Sequence, residues 1–349
     1  MNRERGRDEK TPVLWMVVHG VIASAVGIGV GLAIEWFPEP ASTQAGPIDR
    51  LYDILIWASV PVFVTVSIIV LFSVRNFKMR PGEEQLDGPP IHGNTRLEVI
   101  WTAIPAVVLV VLCAYAWVVL VDIEEARADE MRIDVVGQQF AWTFEYPQPG
   151  GEPIRSTELY LPVDRPVRFH VRALDVIHDF WVPAFRMKID AVPGIETRYR
   201  VTPNKLGIFP VVCAELCGLG HAVMRSTTRV VPEDAFNEWL AEQKAPAAAA
   251  GAGAQPDGKQ LFTEGKGAAT ACSACHTLAD AGSQSQTGPD LDESLAGRDE
   301  AFIRQSIVAP DAEIAEGFQQ GIMPKNYGDT LSDEELDALV TYLGEVAGQ

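Results

Sequence analysis

Charge-free stretches dominate the N-terminal third of the chain: Val13 to Ile34, Ile54 to Val74 and Val99 to Val121. Each reaches the roughly 20 apolar residues that carry a helix across about 30 Å of hydrocarbon, so the pattern predicts two or three membrane helices. The count depends on the first run, which sits where a cleavable secretory segment would and is followed by the small residues STQAG. Its apolar length exceeds the roughly 7 to 15 residues of a signal core, which favours a retained helix.

From Met131 to Pro232 the periodicity drops to two. "RIDVVGQQFAWTFEY", "PVRFHVRA" and "TRYRVTP" alternate or are β-branched and aromatic, and "PQPGGEP", "VPGIE" and "PNKLG" punctuate them as turns. This predicts an all-β sandwich or barrel closed by a short helix, "PEDAFNEWLAEQ". The Ala-, Gly- and Pro-rich "KAPAAAAGAGAQPDG" then has linker composition. Beyond it the period returns to helical, ending in "LSDEELDALVTYLGEV", where Ser332 and Glu335 form a capping-box pattern ahead of Leu336, Leu339, Val340 and Leu343. The predicted division is 1–47, an N-terminal membrane helix or signal segment; 48–125, a membrane hairpin; 126–243, the β domain; 244–256, a flexible linker; and 257–349, a helical domain.

Charge orients this plan. Arg3, Arg5, Arg7 and Lys10 precede the first run, and Arg75, Lys78, Arg80 and Arg96 lie between the second and third. The positive-inside rule makes both segments cytoplasmic, with Trp36, Trp101 and Trp117 as interfacial anchors, and sends everything after Val121 to the outer side. A formal net charge of −19 excludes nucleic acid as a partner, because phosphate binding needs clustered basic residues. The last segment is the most acidic, with five basic residues against seventeen acidic ones from Asp257 onward, so its own partner should present a basic face.

Five cysteines are too few for a disulfide framework, and four of them form close pairs. Cys113 stands alone in an apolar run, as a small hydrophobe does. "CAELCGLGHAVM" places Cys213, Cys217, His221 and Met224 within twelve residues. Thiolate, imidazole and thioether on a β-domain loop suit copper, and a second thiolate allows both sulfurs to bridge paired copper ions. "ALDVIHDFWVP" offers His178 as a second imidazole. A structural zinc site or an extracytoplasmic disulfide are the other readings of the same spacing, although methionine is not an ordinary zinc ligand. The other pair, in "CSACH", fits covalent haem attachment through Cys272 and Cys275 with His276 as the proximal ligand. A thioredoxin-like redox pair would need a βαβ context that the surrounding pattern does not supply. His92 and His170 have no such context and are expected in solvent.

"CAELCGLGHAVM", "VIHDFWVP", "KIDAVPG" and "LEVIWTAIP" together resemble subunit II of haem-copper cytochrome c oxidases over about residues 48 to 235. "CSACH", "TGPDL" and "GIMP" resemble a class I cytochrome c over the last segment. The resemblance implies a multidomain membrane protein with a cupredoxin-like all-β CuA domain and an all-α cytochrome c domain, as in caa-type oxidases. It implies binuclear copper on His178, Cys213, Cys217, His221 and Met224, with Glu215 contributing its backbone carbonyl and reaching a magnesium ion shared with subunit I. Asp175 and Asp190 match acidic positions near that centre. For the haem the resemblance implies Met323 as sixth ligand, with Pro289 near His276.

Glu98 in "RLEVIWT" matches a proton-path entrance, its plainer reading being a carboxylate that marks a helix end. The usual tryptophan that receives electrons is here Phe140, while Trp142 keeps the second aromatic position. The implied partners are subunit I and the other oxidase subunits, membrane lipid, and a basic-faced donor such as a cytochrome c or a quinol-cytochrome c reductase. The implied location is the bacterial plasma membrane, with both outer domains on the periplasmic or extracellular side. A CuA subunit of a nitric oxide reductase and a membrane-anchored copper-binding protein without electron-transfer duty are the alternatives, the second having no use for "CSACH" with Met323.

Overall fold

The computed structural model describes residues 13–79, 81–82, 92–249, 256–266 and 269–347. Arg3, Arg5, Arg7, Lys10, Arg80 and the linker residues 250–255 lie outside them. The described chain divides into two compact units, residues 1–36 with 47–122, and 37–46 with 123–349.

The first unit holds the long helices α1 (Val13–Ala33), α2 (Ala45–Asn76) and α3 (Thr95–Ile123). All three are long and apolar enough to cross a membrane. Their surfaces show why: large side chains such as Leu14, Phe63, Leu71, Val110 and Trp117 point outward, the reverse of a water-soluble helix. Small residues let α1 approach α2, since a Cβ added at Gly27 would lie 2.8 Å from Val60 and one at Gly31 3.1 Å from Ile56. Cys113 lies exposed on the apolar surface of α3.

In the second unit, β1 (Met131–Gln138), β2 (Ala141–Tyr146), β3 (Ile154–Ser156), β4 (Leu159–Pro162), β5 (Val167–Ala173), β6 (His178–Trp181), β7 (Lys188–Ala191), β8 (Thr197–Val201), β9 (Gly207–Cys213) and β10 (Arg225–Val231) form a sandwich. One sheet runs β3-β2-β1-β5-β8, the other β4-β10-β9-β6-β7, a cupredoxin-like arrangement. Alternation fills the space between them with Ile133, Val135, Phe144, Leu161, Phe169, Phe180 and Val211. Tyr146 locks one corner, its hydroxyl donating to the Tyr160 carbonyl at 3.1 Å and accepting from the Tyr160 N–H at 2.7 Å.

Residues 37–46 are hydrogen-bonded into this sandwich. The Ala41 N–H donates to Ala184 and the Thr43 N–H to Thr202, so the STQAG stretch is part of the β unit's wall. The closing helix α4 (Glu233–Ala249) seals the sandwich with Phe236 and with Trp239, which stacks 4.2 Å from Tyr160. It also runs on over residues 244–249, which composition assigned to the linker, because alanine has the best helix propensity of all residues.

The helical part contains α5 (Gly258–Glu264), a short strand pair β11 (Thr277–Leu278) and β12 (Ser283–Gln284), α6 (Leu291–Ser294), α7 (Glu300–Val308), α8 (Tyr327–Thr330) and α9 (Asp333–Val346). Asp257 caps α5 by accepting from the Lys259 and Gln260 N–H groups, and Ser332 with Glu335 completes the predicted capping box on α9. Helices α5 and α9 cross at Gly258, where any side chain would collide with the backbone of Ala338. Phe262, Ile303, Leu336, Leu339 and Val340 make the core.

Candidate metal and haem sites

Strand pairing assembles the first site. Cys213 ends β9 and His178 begins β6, and the two strands are neighbours, with Phe180 opposite Cys213 in register. The loop from Cys213 to Met224 closes on itself through the Cys213 N–H to Met224 carbonyl bond and is strapped to β6 by Ala214 N–H to Asp179. This brings the ligand atoms of His178, Cys213 and Cys217 within 4.8 Å of one another. The sulfurs of Cys213 and Cys217 are 3.9 Å apart and unbonded. Cys217 lies 3.6 Å from Nδ1 of His221 and 3.8 Å from the Met224 sulfur, and Cys213 3.2 Å from the Glu215 carbonyl oxygen.

The imidazole of His178 is fully buried. Its Nε2 meets Asp175 Oδ1 at 2.8 Å, which fixes the ring and the tautomer, and its Nδ1 is left without a hydrogen-bond partner beside the thiols. A buried imidazole nitrogen with no partner costs free energy unless something fills the position. A soft cation does so, and the donor set of sulfur, imidazole and thioether fits copper. Burial pushes both thiols up, and a close Cys213 thiolate adds to the rise at Cys217. At Cys213 the neighbouring His178 imidazole and nearby backbone groups work against burial and hold the thiol below its ordinary value, so the pair supplies its first thiolate there.

Further residues support the loop. Gln139 was not singled out by its sequence context, a plain Gln pair between strands, yet its side chain donates to the Cys217 carbonyl at 2.6 Å and its N–H to Asp175 at 2.7 Å. Phe140 is buried beneath the loop, where side chains at Gly218 or Gly220 would strike its ring. Trp142 is buried as well, its ring 6.0 Å from that of His178. Behind β6, burial raises Asp179, which Lys188 partly offsets from 2.8 Å, and Asp190 stands opposite it in register.

The second site is a hollow of about 710 Å³ in the helical part, lined by Cys272, Cys275, His276 and Met323 among apolar side chains. Nδ1 of His276 donates to the Pro289 carbonyl at 2.9 Å, leaving Nε2 as the free lone pair. Burial pulls the imidazole below its ordinary value, which keeps it neutral and able to ligate. Gly288 makes room for this ring, since a Cβ there would lie 2.6 Å from it. An apolar hollow with adjacent thiols and a preset imidazole fits a covalently held haem.

Three other histidine and carboxylate expectations resolve individually. His92 is exposed as expected. His170 is not in solvent: it is buried on β5 with Nδ1 2.9 Å from Glu196 Oε1, and Arg198 of β8 lies beside it in register. Glu98 stands in the first turn of α3, where its Oε1 accepts from the Asn94 N–H at 3.1 Å and marks the helix start.

Comparison with known proteins gives matches for all three parts. The family profiles "Cytochrome C oxidase subunit II, transmembrane domain", "Cytochrome C oxidase subunit II, periplasmic domain" and "Cytochrome c" match residues 25–119, 154–231 and 256–347. Cytochrome c oxidase subunit 2 of Thermostichus vulcanus is 34% identical over 68% of this chain and 87% of its own length. The same subunit of Alkalihalophilus pseudofirmus is 31% identical over 87% of this chain and 89% of its own. The crystal structure of the periplasmic domain of subunit II of the Bradyrhizobium japonicum oxidase is 32% identical over 35% of this chain and 99% of that one, with a TM-score of 0.33. The chain thus belongs to the subunit II family of cytochrome c oxidase, a component of an oxidoreductase complex, with a cytochrome c domain fused at its C-terminal end.

Proposed function

We propose that this chain is the electron-input subunit of a bacterial cytochrome c oxidase, passing electrons from an external donor through haem c and then binuclear copper to the oxygen-reducing subunit I. The observation that carries the reading is the convergence of His178, Cys213 and Cys217 within 4.8 Å, with the partnerless Nδ1 of His178 beside the thiols. His178, Cys213, Cys217, His221 and Met224 would hold the copper pair by side chain and Glu215 by its carbonyl. Cys272, Cys275, His276 and Met323 would hold the haem. When bound, the two groups supply one-electron carriers whose soft, fixed ligands keep geometry similar in both oxidation states.

The chain's residues do the positioning. Asp175 and Gln139 orient the copper loop, and Pro289 with Gly288 aims the haem imidazole. Neither Phe140 nor Trp142 is exposed, so electrons reach the copper side through the loop above Phe140. The carboxylate of Glu215 is free to share a magnesium ion with subunit I. Glu98 lies at the α3 start, where the resemblance places a proton entrance into subunit I, and proton translocation belongs to the same reading. The membrane is the plasma membrane, with both outer domains on the periplasmic or extracellular side. The acidic cytochrome part suits a donor with a basic face.

Electron paramagnetic resonance of the full chain purified with its oxidase partners tests the reading. A hyperfine pattern from one electron shared equally by paired copper nuclei, beside a reduced c-type optical band and oxygen consumption, is the expected result. Mononuclear copper, zinc in place of copper, or nitric oxide as the only acceptor reduced would overturn it.

A further inference from the structure

The copper loop and the haem hollow meet inside one compact unit. Leu219, Gly220, Ala222 and Val223 of the copper loop line the same hollow as Cys272, Cys275, His276 and Met323. A Cβ built on Gly321 would lie 3.7 Å from the Leu219 side chain, and Ile322, the residue before Met323, packs against the core of the sandwich. Leu219 is the one bulky side chain in Cys217–His221 that is not a ligand candidate. Gly218 and Gly220 flank it and are held down on Phe140 with no room for side chains, so the loop projects Leu219 outward, 79% exposed, at the rim of the hollow.

A polar seam joins the same two domains elsewhere. Thr270 donates to Gln138 at 3.3 Å, and its carbonyl accepts from the buried Tyr327 hydroxyl at 2.8 Å, which itself lines the haem hollow. Beside them Glu264 shares a smaller hollow of about 210 Å³ with Arg155 and Arg172, both of which hold Glu145 at 3.1 Å. Burial raises the Glu264 carboxyl, and Arg155 works against that rise.

We propose that Leu219, at the rim of the hollow beside Gly321, is the docking contact between the domains, and that electrons would cross from a bound haem to a bound copper centre through the 219–221 backbone beside it. This rests on the functional reading above. With both groups bound, the one electron that the haem would give up would be the one that the copper pair takes, and no bond or proton would change place. Docking of this kind suits a tethered donor, which is already held at high effective concentration and needs only a brief, specific contact.

The test uses the full chain in its oxidase, with both centres loaded, comparing wild type with Leu219→Asp, Leu219→Met and Glu264→Lys. The readouts are flash-induced haem-to-copper transfer and hydrogen exchange of the amides at 219–223 and 321–323. The observed rate scales with the docked fraction. Leu219→Asp should slow transfer about tenfold and speed exchange at both segments together, with both centres' spectra unchanged. Leu219→Met should restore both readouts. Glu264→Lys, which touches neither ligand set, should shift both in the same direction as Leu219→Asp by setting a cation against Arg155.

If wild type shows both centres while neither charged variant alters transfer or exchange, docking through Leu219 is wrong. If wild type itself lacks the paired copper signal, the functional reading fails first. Should Leu219→Asp lose copper, Glu264→Lys decides alone: unchanged exchange at 321–323 overturns the proposal.

Discussion

The two cofactor regions are built in opposite ways. On the proposed copper side a single donor, His178, comes from a separate strand, and pairing of β6 with β9 holds it against Cys213 and the 213–224 loop above a continuous apolar core. On the haem side Cys272, Cys275 and His276 are near neighbours in sequence at the edge of a hollow of about 710 Å³, and the helices fold around that space. The first site is a feature of a finished sandwich, whereas the second interrupts its own core. Packing at interior density is what holds small helical domains together, so a hollow of that size has to be filled for the domain to be stable.

Removing each group separately is the sharpest way to break this contrast. Replacing Cys272 and Cys275 together by Ala should abolish the cooperative thermal transition of the helical part while leaving that of the sandwich, read by calorimetry on the full chain. Chelating copper should only lower the sandwich transition, by about 4 kcal/mol if copper had been present at about a thousandfold above its dissociation constant. A sandwich that unfolds outright on chelation would mean that its core does not carry the fold.

A smaller test separates the two regions without touching either site. Ser332→Ala removes the capping box of α9 and should cost about 1 kcal/mol in the helical part alone. Denaturant titration that shows an equal loss in the sandwich would mean the two regions unfold as one.

The smallest effect concerns pH in the sandwich. Hydrogen bonds from Arg198 and His170 hold Glu196 down to about 2. A carboxyl held low contributes stability above its ordinary range and loses it as pH falls through the folded value, here toward about 2. Because the side chain is about a third exposed, the contribution should stay under about 1 kcal/mol. Glu196→Gln should therefore be slightly less stable than wild type at neutral pH and equal to it near pH 2, measured by urea midpoints. A gap that persists at low pH would show that the pair acts by packing.

Local patterns made much of this legible. Three charge-free runs became α1 to α3, and α2 and α3 run beyond the apolar stretch, past Arg75 in α2 and from before Glu98 in α3. Cys272, Cys275 and His276 of "CSACH" lie within one turn, and the fold places all three on the lining of one hollow. The capping box on α9 was readable for the same reason. Errors came where tertiary neighbours decide burial. His170 reads as a surface residue on an alternating strand, but Glu196 bonds it and Arg198 of β8 lies beside it. Residues 37–46, which the predicted division kept with the N-terminal segment, are hydrogen-bonded into the sandwich.

The amino-acid sequence alone determined which residue types could bind copper and haem and which segments could enter a membrane, because ligand softness, helix length and local spacing are properties of short stretches. Tertiary structure decided that His178 faces the cysteine pair, that Gln139 and Asp175 hold the loop, and that Leu219 lines the same hollow as Met323. Those contacts join residues up to about a hundred positions apart in the chain. Sheet register and domain packing select them, and neither is encoded in any one segment.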